Sequence, residues 1–109
     1  YLVACLDIGH AEMKGSNTTA VEMIKALGNR LEALHIHDND KLHDSHQLPF
    51  SMNIDFVPIV KALKEIGYNG YFTLEASYYI ENLKNPDVVE CAKNLYNSAK
   101  SLADMYENM

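Results

Sequence analysis

The absences in this sequence narrow it first. No apolar run reaches transmembrane length, and no secretory-signal pattern is visible, so the cytoplasm is the expected compartment and no membrane contact is expected. Cysteine is scarce. Cys5 and Cys91 form no CxxC pair, and their places, in an apolar strand and on a helix, predict two core thiols rather than a disulfide or a metal pair. Positive charge is short as well: 9 Lys and Arg against 15 Asp and Glu give a formal net charge of -6. A general nucleic-acid binder would need a basic face, so nucleic acid is not the expected partner. The acidic balance suits an enzyme for small molecules. There is no disordered bias, and a 48% share of hydrophobic residues can build a core. The 109 residues amount to one domain or less and begin inside an apolar strand with no initiator Met. The expectation is a piece of a longer protein, cut upstream.

What is present is organised around residues 34–46, Leu-His-Ile-His-Asp-Asn-Asp-Lys-Leu-His-Asp-Ser-His, which hold four of the five histidines and three aspartates. Imidazole and carboxylate at the end of an apolar strand are metal-ligand chemistry. A single histidine there would read as a solvated loop residue. His35, His37, Asp44 and His46 together predict a metal site.

Around that stretch the chain alternates. Tyr1–Leu6 is nearly continuous apolar sequence, the mark of a parallel strand covered on both faces. It ends at Asp7-Ile8-Gly9-His10, where Gly9 permits a tight turn. Thr19 with Glu22 has capping-box spacing, Ala20, Val21, Ile24 and Leu27 make a helical stripe, and Gly28-Asn29 stops it. A second strand is expected from Leu31 to His37, with Leu34 and Ile36 on one face and Ala33, His35 and His37 on the other. The connection from Asp38 to Asn53 is long for a βα loop, which predicts a mobile lid or ligand carrier. Asp55 caps a helix over Phe56–Ile66, with Phe56, Ile59, Val60, Leu63 and Ile66 buried, and Gly67-Tyr68-Asn69-Gly70 turns the chain. A third strand is expected over Tyr71–Ala76, with Glu75 facing the same way as Thr73. The aromatic segment from Ser77 to Ile80 is expected to cover the site. Asn85 and Pro86 should start a last helix, whose buried stripe would be Val88, Ala92, Leu95, Ala99, Leu102 and Tyr106. Each strand of this βαβαβα pattern ends in ligand-type residues: Asp7 with His10, His35 with His37, then Glu75. In parallel α/β architectures the carboxyl ends of the strands carry the chemistry.

The segments Leu6-Asp7-Ile8-Gly9-His10, Leu34-His35-Ile36-His37-Asp38, Asp44-Ser45-His46 with Pro49, Ile54-Asp55-Phe56, Leu63 with Gly67-Tyr68-Asn69-Gly70-Tyr71, and Leu74-Glu75 resemble, in order, the xylose-isomerase-like TIM-barrel superfamily of sugar isomerases and epimerases. The resemblance implies that residues 1–109 are the last three βα units of an eight-unit (β/α)8 barrel, the earlier part lying upstream. It implies Asp7, His35 and Glu75 as ligands of a divalent metal (Mn, Mg, Co or Zn), with a fourth, glutamate ligand upstream. That glutamate and Glu75 would be the acid/base pair of an isomerase or epimerase of a sugar or sugar phosphate, working through an enediolate. His10 and Lys41 would bind substrate, and Asp44 and His46 would be additional metal ligands. The same superfamily contains inosose dehydratases and zinc-dependent apurinic endonucleases of the endonuclease-four type. The latter would use Asp7, His10, His35, Asp44, His46 and Glu75. Phe50-Ser51-Met52-Asn53 departs from the glycine-rich turn of many relatives. Cut in this way, the chain is expected to be inactive alone, and either to self-associate through open barrel edges or to belong with an absent N-terminal part.

Overall fold

The computed structural model describes residues 3–81, 83–85 and 87–109. The elements run β1 Ala4–Asp7, α1 Ile8–Glu12, a 3-10 turn at Lys14–Ser16, α2 Ala20–Leu27, a second 3-10 turn at Gly28–Arg30, β2 Leu31–His35, α3 Phe56–Ile66, α4 Ser77–Glu81 and α5 Val88–Glu107. β1 and β2 pair in parallel with Asp7 opposite His35, so both strands deliver a ligand-type residue at the same carboxyl end. Tyr1 and Leu2 of the expected first strand lie outside the described residues.

The third strand is shorter than expected. It pairs only through a parallel bridge between Ile36 and Leu74, where the Ile36 amide donates to Thr73 O and the Glu75 amide to Ile36 O, each at 2.8 Å. Just before it, the Tyr68 hydroxyl donates to Tyr71 O at 2.7 Å. β2 likewise ends at His35 rather than His37, although Ile36 continues the parallel path.

The helices cover one face of these strands. Leu6, Leu31, Leu34 and Ile36 pack there with Ile24 of α2, Ile59, Val60 and Leu63 of α3, and Leu102 of α5. Burying each such aliphatic side chain is worth about 1.5–3 kcal/mol. Nothing among the described residues covers the opposite face, where Val3, Cys5, Ala33 and Thr73 are exposed; Cys5, expected as a core thiol, is thus exposed in this chain, whereas Cys91 is buried.

Local chemistry sets the helix ends. Thr19 accepts from the Glu22 amide at 3.1 Å, Asp55 accepts from Val57 at 3.1 Å, and Gly67 closes α3 in the left-handed region at φ 73°. The expected start of α5 needs correcting. Its cap is Asp87, which accepts from Val89 and Glu90. Asn85 sits at φ 48°, incompatible with the extended backbone of a cap, and Pro86 lies outside the described residues. The expected stripe holds from Leu95 onward, with Leu102 buried and Leu95, Ala99 and Tyr106 half-buried, whereas Val88 is 77% exposed, Ala92 faces out, and Cys91 is buried in their place. Among the described residues no helix is long and apolar enough to cross a membrane.

Candidate metal centre

At the carboxyl end of the parallel elements Asp7, His35 and Glu75 come together, with one ligand atom from each lying within 4.8 Å of the others. The β1–β2 register sets Asp7 beside His35, and the Ile36–Leu74 bridge sets Glu75 on the other side. His35 Nδ1 stands 3.1 Å from Glu75 Oε2. That approach lacks hydrogen-bond geometry: Glu75 Oε2 is buried and has no hydrogen-bond partner. A buried, unpartnered carboxylate oxygen close to an imidazole nitrogen fits two donors waiting on a shared cation.

A second group adjoins the first. His10, His37, Asp44 and His46 also offer ligand atoms within 4.8 Å of one another. His10 Nε2 lies 3.0 Å from Asp44 Oδ2, and His46 Nε2 lies 2.9 Å from Asp44 Oδ1. His46 Nδ1 donates to the Glu75 carbonyl at 3.0 Å. In a neutral ring this leaves the Nε2 lone pair facing a carboxylate, which a proton or a metal ion must reconcile. Donation of the other ring nitrogen to a backbone carbonyl is the usual support of a metal-ligating histidine. His37 and His46 stack at 4.0 Å and 18°, and His10 meets both edge-on.

Electrostatics tie the groups together. Burial works against the charge of Asp7, but hydrogen bonds from His37 and the His10 amide, with the charges of both rings, hold its carboxyl down at about 2. The bond to Asp44 raises His10 above its ordinary 6.5 against partial burial, helped by the charges of Asp7, Asp44 and Glu75. Asp44 is also partly desolvated, yet His10 and His46 keep it below the usual carboxylate value. The donor set of carboxylates and imidazoles fits Mn, Mg, Co or Zn at the first group, and its three histidines with one aspartate suit Zn at the second.

Lys41 belongs to neither group. It is exposed with φ 70°, and its carbonyl accepts from the Lys14 amide at 2.8 Å.

Three features were missed in the sequence. His37 is fully buried, unlike Ala33 and His35, with which it was expected to share a face. Gly9 is in a helix rather than a tight turn, and a Cβ on it would overlap the His37 ring. Asp38 is a buried clamp: it accepts from the amides of Asn39, Met52 and Ile54 at 2.8, 2.9 and 3.0 Å. Asn39, also buried, donates to Gly9 O at 3.0 Å. With the paired backbone bonds between Asp38 and Gln47, these ties hold the 38–53 loop down, so the expected mobile lid is not what the hydrogen bonding describes. Gly9 lies far from His37 along the chain, so no local pattern marks the ring seat, and none marks Asp38 as a clamp. A cleft of about 470 Å³, lined by Ser45, Gln47, Ser51, Met52 and Tyr78, opens next to His46, whose ring meets Tyr78 edge-on.

Comparison with known proteins agrees with this architecture. A model of the xylose isomerase-like TIM barrel matches residues 1–104. The uncharacterized protein MJ1311 of Methanocaldococcus jannaschii is 32% identical over 84 residues, covering 77% of this chain and 29% of that protein. The uncharacterized protein y4fM of Sinorhizobium fredii is 34% identical over 89 residues, covering 72% of this chain and 28% of that protein. The crystal structure of a D-tagatose 3-epimerase-like protein superposes with a TM-score of 0.70 at 27% identity, over 97% of this chain and 35% of that one. The chain thus spans about a third or less of the length of these relatives. By the family match and by its parallel α/β architecture, the chain belongs to the xylose isomerase-like TIM-barrel family.

Proposed function

We propose that the chain forms the last three βα units of a divalent-metal-dependent isomerase or epimerase acting on a sugar or sugar phosphate. The observation that carries this is the convergence of Asp7, His35 and Glu75 at one end of the parallel strands, with Glu75 Oε2 buried and unpartnered. Asp7, His35 and Glu75 would hold the ion, which when bound polarises the carbonyl and hydroxyl oxygens of the substrate. Glu75 is the proton carrier on one face of the sugar. Its Oε2 is buried while the side chain as a whole is 43% exposed, so the rest of the carboxylate can meet the carbon beside the carbonyl. Proton removal there gives an enediolate, and return from the opposite face, by a glutamate of the upstream part, inverts or relocates the centre. His10 and Lys41 are the substrate-binding candidates. The open sheet face and edges would meet the rest of the barrel, or a second copy where that part is missing. Such a protein would work in the cytoplasm.

A second reading is favoured by one observation, the adjoining His10, His37, Asp44 and His46 group. Those ligands would suit a zinc phosphodiesterase of the endonuclease-four type acting on abasic DNA. The net charge of -6 weighs against a DNA substrate. An inosose dehydratase-like lyase would share the enolisation and then lose water. The test incubates full-length protein with ketohexoses, their phosphates and inosose in deuterated water, with and without Mn, and in parallel with abasic DNA. Metal-dependent deuterium uptake beside the carbonyl, lost in Glu75→Gln, is expected. Incision of abasic DNA without exchange would reverse the ranking.

A further inference from the structure

His37 is the one fully buried histidine, and the isomerase chemistry outlined above gives it no task. As mere filler it would be a poor choice, because an apolar side chain occupies such a site without desolvating two ring nitrogens. The seat is nevertheless built for it: glycine at position 9 leaves room that any Cβ would take from the ring, and His46 stacks on its face at 4.0 Å.

The contacts of His37 point at Asp7. Its Nε2 lies 2.8 Å from Asp7 Oδ1. A carboxylate oxygen only accepts, so Nε2 carries a proton and donates it to Asp7, while Nδ1 is buried and without a partner. Asp7 Oδ1 accepts a second bond from the His10 amide at 2.9 Å. Two donors anchor that oxygen. Asp7 Oδ2 faces instead His10 Nδ1 at 2.9 Å, on a half-exposed side chain. From its other side the His37 ring supports His46, which holds the Glu75 backbone through Nδ1.

We propose that His37 is a positioning residue of the metal centre: it pins Asp7 by Oδ1, so that Oδ2 is the atom presented to a divalent cation shared with His35 and Glu75. The proposal rests on the metal-dependent function above and adds which Asp7 oxygen binds and what aims it. Carboxylates and histidines in such supporting positions typically change metal affinity about 10- to 100-fold when replaced.

The test uses full-length protein and Mn(II) alone as probe, read by calorimetry and by electron paramagnetic resonance. His37→Phe keeps a ring and removes the donor; His37→Gln keeps an N–H donor at similar reach. Mn(II) binding should weaken about 10- to 100-fold in the Phe variant and largely recover in the Gln variant. In the metal-free wild type, nitrogen NMR should show His37 protonated at Nε2. Unchanged Mn(II) affinity in the Phe variant, or a ring protonated at Nδ1 alone, would overturn the proposal while leaving the metal-dependent function standing. Failure of the wild type itself to take up Mn(II) would remove both. Should the Phe variant not fold, the tautomer alone decides.

Discussion

The two ligand groups of this molecule are made of the same chemistry and are built in opposite ways. Asp7, His35 and Glu75 come from the ends of paired backbone segments, and Glu75 Oε2 is left without a hydrogen bond. His10, His37, Asp44 and His46 come from a short helix, a strand exit and a loop, and pair mainly through Asp44, Asp7 and ring stacking, with His37 Nδ1 left without a partner. A group set by sheet register holds its shape without a ligand, so it can leave an atom unpaired. A group carried by a loop needs internal pairing to exist at all. Unpaired chemistry on a rigid frame is where an outside ion gains most.

The largest expected effect separates the groups through their supports. Asp38→Ala strands three amide donors of the 38–53 loop. At about 1–3 kcal/mol for each buried unpaired donor, the protein should lose about 3 kcal/mol or more in denaturant unfolding. In the fraction that stays folded, histidine NMR should show His46 released while His35 is unmoved. Equal disturbance of both would mean that the two groups are one unit.

A smaller effect is expected at the seam between them. Gly9→Ala forces a Cβ into the His37 ring, and overpacking of this kind typically costs about 1–3 kcal/mol. Thermal unfolding should report it, and a second change, His37→Ala, should recover part of the loss by making room. No recovery would place the strain elsewhere.

The smallest effect is in the pH dependence of the metal-free protein. Asp7 is held at about 2, below its ordinary 3.8, so its contribution is full above 3.8 and is lost as pH falls towards 2. Asp44 is lowered too and acts in the same direction. His10 is raised above 6.5, so its contribution is full below 6.5 and is lost as pH rises through the raised value. Stability should therefore fall on both sides of a mildly acidic maximum. Asp44→Asn should flatten the alkaline limb, which depends on the His10 bond, more than the acid limb, which Asp7 still carries. An unchanged alkaline limb would show that Asp44 does not hold His10 charged.

Legibility followed the range of the interaction. The Thr19 and Asp55 caps, the extent of α2 and α3, and the strand-end positions of Asp7, His35 and Glu75 depend on neighbours a few residues away or on strand alternation. Those were readable. The Asp87 cap displaced Asn85 because the backbone at Asn85 turns left-handed, which composition does not announce. Cys5 was misplaced because an apolar strand does not say which of its faces helices will cover. The loop was expected to move because length was visible and the buried Asp38 clamp was not: its amide donors lie as far as sixteen positions along the chain. His37 shared its alternation with His35 but not its exposure, because Gly9, on another element, admits its ring.

Asp7, His35 and Glu75 are expected to hold a divalent cation. Crystals of the full-length protein grown with Mn(II), with data collected at the manganese absorption edge, would show it. An anomalous peak bounded by Asp7, His35 and Glu75, absent in Asp7→Ala, is the predicted result. A peak confined to His10, Asp44 and His46, or none at saturating Mn(II), would contradict it.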